Sequence, residues 1–171
     1  MPTAIAELKR RYERLKNGNR ANWTQQWQEV ADYVRPHRGD FSTTTAAGTR
    51  RPRGLLVYDS TAILANVQLG AALESFLTSP EEPWFELRAK QFELNDVDPV
   101  RFWLMEVRDR MMTVFNSSES GFMTNAHEIY LDLGSFGTAI MNVEQKGMDI
   151  KFRTRHLGEC TLVEDAQGSV D

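Results

Sequence analysis

The apolar residues of the chain recur every three or four positions in five successive stretches, a spacing that places side chains on one face of an α-helix. The predicted helices cover residues 3–16, 22–35, 59–77, 98–115 and 122–134. Asn22 with Gln25 has the pattern of an N-terminal cap, and so does Asp98 followed by Pro99. Small residues are frequent in the third helix, so another helix can approach it closely, and we expect it to be the most buried helix.

Beyond Phe136 the apolar period shortens from about 3.6 residues to about 2, which is typical of β-strands. Residues 139–144 and 150–155 alternate around a turn at Lys146-Gly147 and predict a β-hairpin. A third strand is predicted at about residues 159–164, and a short separate strand at 84–87. The predicted fold class is α+β, with about five amphipathic helices followed by a small antiparallel β-meander.

The stretch Gly134-Ser135-Phe136-Gly137 at the change of period has two interpretations. Its glycines can expose backbone amides to a phosphate, or they can end a helix and begin a strand. A phosphate-binding loop follows a strand and leads into a helix, whereas this stretch follows a helical pattern and leads into alternation. The helix-to-strand junction is therefore favoured.

The length of 171 residues predicts a single domain over residues 1–171. Residues 35–54 have no periodicity and are rich in Arg, Gly, Ser, Thr, Pro and Ala, so they predict a flexible basic loop. The sequence stops shortly after a predicted turn at residues 166–168, with no strand left to return. We therefore expect a piece of a longer protein, truncated after residue 171.

The formal net charge of -4 argues against a nucleic-acid-binding protein whose whole surface is basic, but local charge is uneven. Between residues 35 and 53, five arginines face one aspartate, a local charge of +4; between 81 and 98, six carboxylates face two basic residues, a local charge of -4. These two segments can pair within a subunit or between subunits. The candidate nucleic-acid or subunit contacts are the arginines of the basic segment: Arg35, Arg38, Arg50, Arg51 and Arg53.

Few residues have the spacing that catalysis or metal binding requires. The single Cys160 excludes an intrachain disulfide and a cysteine-based metal site, and no hydrolase, zinc-protease or nucleotide-binding motif is present. A nuclease-like metal cluster would need the acids Asp132, Glu144, Asp149, Glu159 and Asp165, which we expect to be mostly solvated. We also expect Trp23, Trp27 and Trp103 in the core, because they lie on apolar helical stripes. No catalytic, cofactor or metal site is predicted, and no membrane segment.

A set of short motifs in a fixed order carries a resemblance over residues 17–171. The motifs are Asn19-Arg20, Trp27, Tyr33-Val34-Arg35-Pro36, Tyr58-Asp59-Ser60-Thr61-Ala62, Gly70-Ala71-Ala72-Leu73, Leu77-Thr78-Ser79-Pro80, Pro83-Trp84-Phe85, Asp132-Leu133-Gly134, Phe136-Gly137-Thr138-Ala139 and Gly168-Ser169-Val170-Asp171. Together they resemble the amino-terminal wing region of the podovirus (T7-like or P22-like) head-to-tail connecting proteins, the portal proteins.

The resemblance implies a structural, non-enzymatic role without cofactors. Portals of this family form homo-oligomeric, dodecameric rings at one capsid vertex, where they meet the major capsid protein, the terminase and tail adaptor proteins. Double-stranded DNA passes through the ring during packaging and ejection. The implied location is the virion, after assembly in the bacterial cytoplasm, or a prophage-encoded equivalent. Family members are several times longer than this chain.

Three functional hypotheses follow from the sequence. The first is a structural part of a portal ring. The second is a DNA-binding accessory module that acts through the arginine-rich loop, and the third is a metal-dependent nuclease that uses the carboxyl-terminal acids.

Overall fold

The structure is a computed structural model that describes residues 4–39, 41, 56–147 and 149–161. In these residues, five α-helices precede one two-stranded antiparallel sheet, which confirms the predicted α+β class. The elements are α1 (Ala4–Asn17), α2 (Asn19–Val34), α3 (Thr61–Leu77), α4 (Asp98–Asn116), α5 (Phe122–Phe136), β1 (Ile140–Lys146) and β2 (Asp149–Arg155), with 3₁₀ turns at Pro36–Arg38 and Phe92–Asp96.

The chain clusters into two compact units. The first unit comprises residues 1–67, 132–140 and 155–171, and the second comprises residues 68–131 and 141–154. That the two units fold together as one domain stays a prediction from the chain length. No helix among the described residues combines the length and the hydropathy needed to cross a membrane.

The core of the second unit is built on α5. Phe122, Ala126 and Tyr130 are buried and lie four residues apart, so they share one face of the helix. The partly buried residues that pack against this face are Leu73, Trp84, Phe115, Met123, Met141 and Phe152. The Trp84 ring stacks on Phe122 with centroids 5.8 Å apart and an interplanar angle of 8°. Five of these nine core residues are aromatic.

Helix α3 packs against α5 through a glycine. A Cβ atom added to Gly70 would lie 2.7 Å from Cδ2 of Leu131, closer than such atoms approach each other in real structures. One turn later, Glu74 Oε2 lies 2.6 Å from His127 Nδ1, and the Tyr130 hydroxyl donates to the buried Thr78 hydroxyl at 3.1 Å. The close approach at Gly70 thus brings both polar pairs into contact.

The amino-terminal ends of α2 and α4 differ from the predicted caps. Helix α2 begins at Asn19, directly after Gly18, so Asn22 is an interior residue and not the cap. Helix α4 begins with Asp98 itself, whose carboxylate accepts from Arg101 at 2.8 Å. At the start of α3, hydrogen bonds from the Thr61 hydroxyl and backbone N–H hold the pKa of the exposed Asp59 below its ordinary value.

Helix α5 runs past Gly134 and ends at Phe136. Gly137 follows with φ of +72°, a left-handed conformation that favours glycine, and its N–H donates to the Leu133 carbonyl at 3.0 Å. The prediction of a helix-to-strand junction is confirmed, although Gly137 rather than Gly134 ends the helix.

Two predicted strands are not formed in the described residues. Residues 83–89 form no strand, and the rings of Trp84 and Phe85 contact Phe115. Residues 156–161 also lack a strand, and residues 162–164 lie outside the described residues. A third strand beside β2 would meet occupied donors, since the N–H of Phe152 donates to Ser120 and that of Thr154 to Asn125.

Replacing Gly70 with valine is expected to lower the free energy of unfolding by about 2 kcal/mol or more, because the added carbons overlap the buried Leu131 side chain. Ala71→Val is the matched control at the next, exposed position, and should cost only about 0.5 kcal/mol through helix propensity. Urea unfolding followed by circular dichroism measures both. Equal losses for the two variants would contradict close packing at Gly70.

Candidate functional site

A buried ion pair in the first unit joins two of the predicted site residues to an aspartate far along the chain. Arg35 Nη1 donates to Asp132 Oδ1, and Arg38 Nη2 lies 3.5 Å from Asp132 Oδ2. The Asp132 side chain is only 3% exposed. A carboxylate so removed from water depends on its cationic partners, and removing one side leaves an uncompensated buried charge.

The local sequence explains how both arginines reach one carboxylate. Helix α2 ends at Val34, and the Arg35 N–H still donates to the Ala31 carbonyl at 2.9 Å. Pro36 then starts a 3₁₀ turn, in which residues three apart lie on the same side. Arg35 and Arg38 therefore project together towards Asp132.

The residues after this turn are also held in place. Gln28 bridges them, because its side-chain amide donates to the Gly39 carbonyl at 2.6 Å and accepts from the Phe41 N–H at 3.0 Å. The Phe41 ring contacts Trp27 and Phe136, with centroids 5.8 and 5.1 Å apart. Residues 35–39 and 41 thus form an anchored segment directly before residues 42–55.

His156 completes this anchored segment. Its Nε2 lies 2.7 Å from the Arg38 carbonyl oxygen, and its Nδ1 lies 2.9 Å from the Gly158 nitrogen. Because the Gly158 N–H can only donate, Nδ1 is the acceptor, and Nε2 carries the proton given to Arg38. Arg20 holds the same turn, since its guanidinium donates to the carbonyls of Leu157 and Gly158.

The remaining candidate residues are three arginines and the acids of the carboxyl-terminal part of the chain. Arg50, Arg51 and Arg53 lie outside the described residues. Among the acids, Glu144 and Asp149 are exposed on the hairpin, and Asp165 lies outside the described residues. In the described part of the chain, no group of three or more His, Cys, Asp and Glu side chains is placed to hold a metal ion.

The outer side of α3 is a second candidate site, in the second unit, which the sequence patterns did not single out. Only Asn66 and Gly70 of this helix are buried, so the expectation that α3 is the most buried helix was wrong. Its outer side carries Leu69, Ala72 and Phe76, spaced by three and four residues; we call this row the α3 seam. All three residues are exposed, and Phe76 is 86% exposed.

The α3 seam carries no charge. The single charged residue of α3 is Glu74, which is paired with His127. A helix that is apolar on all sides normally lies inside a protein or an interface. The scarcity of charge in α3 was the signal in the sequence that this helix is covered by other protein. It does not tell which side of the helix another part of the chain covers.

Helix α4 presents a similar row, also in the second unit. Val100, Trp103, Val107, Met111 and Val114 follow one another at intervals of three or four residues; we call this row the α4 seam. Trp103 is 61% exposed, so its expected place in the core was wrong, as it was for the exposed Trp23. The inward side of α4 is instead formed by Leu104, Met112 and Phe115.

Comparisons with known proteins agree with one another. The family model described as bacteriophage head to tail connecting protein matches residues 5–171. The portal protein of Salmonella phage epsilon15 is 32% identical over 171 residues, which is 99% of this chain and 30% of that protein. The probable portal protein of Bordetella phage BPP-1 is 31% identical over 155 residues, 89% of this chain and 27% of that protein. The chain thus spans less than a third of the length of these two curated relatives.

Replacing Asp132 with alanine is expected to lower the free energy of unfolding by roughly 3–5 kcal/mol, because Arg35 and Arg38 lose their shared buried carboxylate. The control is Asp98→Ala, which removes the exposed pair with Arg101 and should cost less than about 1 kcal/mol. Thermal and urea unfolding measure both. An Asp132→Ala variant as stable as Asp98→Ala would contradict a structural role of the ion pair.

Proposed function

The chain belongs to the family of bacteriophage head to tail connecting proteins, and on that premise we propose that it is part of a portal subunit that assembles with copies of itself into a ring. The ring sits at one vertex of the capsid, in contact with the major capsid protein. Terminase drives double-stranded DNA through it during packaging, and tail adaptor proteins receive the DNA during ejection. The subunit has a structural role, and it catalyses no reaction.

The observation that carries this proposal is the uncharged, exposed outer side of α3. Exposed apolar patches on soluble proteins mark surfaces that another protein covers. The α3 seam places a large side chain, Phe76, almost entirely in solvent, and small Ala72 beside it lets another backbone come close. Such a surface supports burial by a neighbouring subunit, and it lacks the convergent titratable groups that a reactive pocket requires.

The number of subunits and the DNA channel are proposals for the whole assembly. A dodecamer is proposed from the resemblance to portal proteins. The family and the two portal-protein relatives support a head-to-tail connector, and the chain matches only 27–30% of the length of these relatives. The virion is the proposed location, with assembly in the bacterial cytoplasm.

The complete gene product is expected to form rings, seen as a high mass by light scattering and as annular particles by negative-stain microscopy. Phe76→Glu should raise the concentration for half-assembly by roughly 100-fold or more, because a carboxylate would be buried without a partner. Phe92→Glu is the matched control, since Phe92 is 78% exposed outside α3. A wild-type product that stays monomeric would contradict the proposal.

A second proposal concerns Arg50, Arg51 and Arg53, which we propose contact DNA phosphates, as in the hypothesis of a DNA-binding accessory module. Its support is that the preceding segment is anchored by Asp132, Gln28 and His156, so the chain enters the basic stretch from a fixed point. A fixed starting point lowers the conformational entropy that the stretch loses when it binds.

Replacing Arg50, Arg51 and Arg53 with alanine is expected to weaken DNA binding and to reduce the slope of log K against log salt by roughly 2–3, since each phosphate contact contributes about 0.9. The control replaces three exposed arginines that have carboxylate partners, Arg88, Arg101 and Arg110, for the same change in net charge. Fluorescence anisotropy with a DNA duplex measures both. Wild-type protein that binds no DNA at low salt would remove this proposal.

A further inference from the structure

Two uncharged helix rows of the second unit, the α3 seam and the α4 seam, contain exposed apolar side chains. Leu69, Ala72 and Phe76 are spaced by three and four residues, and the five residues from Val100 to Val114 by three, four, four and three. Spacings of three and four residues keep the side chains of a row on one face of a helix. Exposed residues lie in both rows: Leu69, Ala72 and Phe76 in the α3 seam, and Trp103, Met111 and Val114 in the α4 seam, where Val100 and Val107 are half-buried.

A closed ring with more than two subunits requires two different surfaces on each subunit. In such a head-to-tail contact, one patch of a subunit meets another patch of the next, whereas a two-fold contact joins identical patches. If the α3 seam is one of these patches, as the proposed function holds, then the second patch is a different surface of the subunit, and an exposed apolar row suits an apolar partner. The α4 seam is such a surface.

The two rows also differ in size in a complementary way. The α3 seam alternates large and small residues, with Ala72 between Leu69 and Phe76, and Gln68, Ala71 and Ser75 beside it. The α4 seam offers a projecting indole, Trp103, and the flexible Met111. Helix α3 already packs in this manner within the chain, where Gly70 accepts the side chain of Leu131. Helix α3 therefore already makes one contact in which its own small residue receives a large side chain of the partner helix.

Charge and area are compatible with this pairing. Neither seam contains a charged residue, so the contact buries no unpaired charge. The five exposed large residues of the two seams, Leu69, Phe76, Trp103, Met111 and Val114, are on average about half exposed. Together they supply roughly 500 Å² of apolar area, about a third of a standard interface of roughly 1,600 Å². That share fits the apolar centre of an interface whose rim is polar.

We propose that the α3 seam of one subunit packs lengthwise against the α4 seam of the next copy around the ring. The inference rests on the proposed function and specifies which surface of the neighbour covers α3. The contact is head-to-tail: every subunit uses its α3 seam towards one neighbour and its α4 seam towards the other.

The test uses two variants of the complete gene product that each disable one seam. Ala72→Glu places a charge in the α3 seam, and Trp103→Glu places one in the α4 seam, both at exposed positions. Phe102→Glu is the matched control, because Phe102 is 62% exposed but points to another side of α4, one residue from Trp103. Circular dichroism and thermal unfolding confirm that all three variants keep the fold.

Sedimentation velocity then compares each variant alone with an equimolar mixture. Head-to-tail pairing predicts that Ala72→Glu alone and Trp103→Glu alone are monomeric, that Phe102→Glu forms rings, and that the mixture forms dimers but no rings. The mixture pairs the intact α3 seam of one variant with the intact α4 seam of the other, and growth then stops. The concentration for half-assembly of each single variant should rise by roughly 100-fold or more.

Other outcomes overturn the inference in distinguishable ways. If Trp103→Glu assembles like wild type while Ala72→Glu does not, α3 does not pair with α4. If neither variant weakens the rings, the ring forms through other surfaces: the inference fails and the proposed function stands. If the wild-type gene product forms no ring at any concentration, both fail.

Discussion

The burial of α5 is the constraint on which the rest of the structure depends. One face of this helix, from Phe122 to Tyr130, forms the core of the second unit, and its next residues include Leu131 against Gly70 and the buried Asp132. Covering the part of this helix from Phe122 to Leu131 uses one side each of α3 and α4 and the inner side of the hairpin. Both helices also carry exposed apolar residues, among them Phe76 and Trp103.

The ion pair between α5 and the end of α2 has a different character. Arg35 and Asp132 are 97 residues apart in the chain, and each lies in one of the short motifs that resemble portal proteins. The structure gives two of those motifs a common physical purpose, since the Asp132 carboxylate pairs with Arg35 and also with Arg38. The candidate contacts thus divide into two arginines bound to an internal acid and three whose role is a separate proposal. Separating a buried ion pair leaves an uncompensated charge, which is consistent with an anchored start of the basic segment.

The sequence predicted the five helices and the hairpin because each has a strong period of apolar residues. It missed the helix boundaries at Asn19 and Phe136 because capping residues are common inside helices as well, and only the φ angle of Gly137 identifies the true end. It placed Trp103 in the core because an apolar row on a helix indicates that something covers the row, without indicating whether that is the same chain or another copy. The α3 seam had the same ambiguity.

By itself the sequence determined the fold class, the order of the elements and, through its motifs, the resemblance to the family. These depend on local periodicity and residue order, which a linear chain displays directly. Only the tertiary structure decided that Asp132 holds Arg35 and Arg38, that Gly70 rather than any neighbouring small residue meets α5, and that Phe76 and Trp103 face solvent. Such pairings depend on which distant surfaces meet when the chain packs. The period of a helix shows which residues share a face, but it does not show what that face contacts.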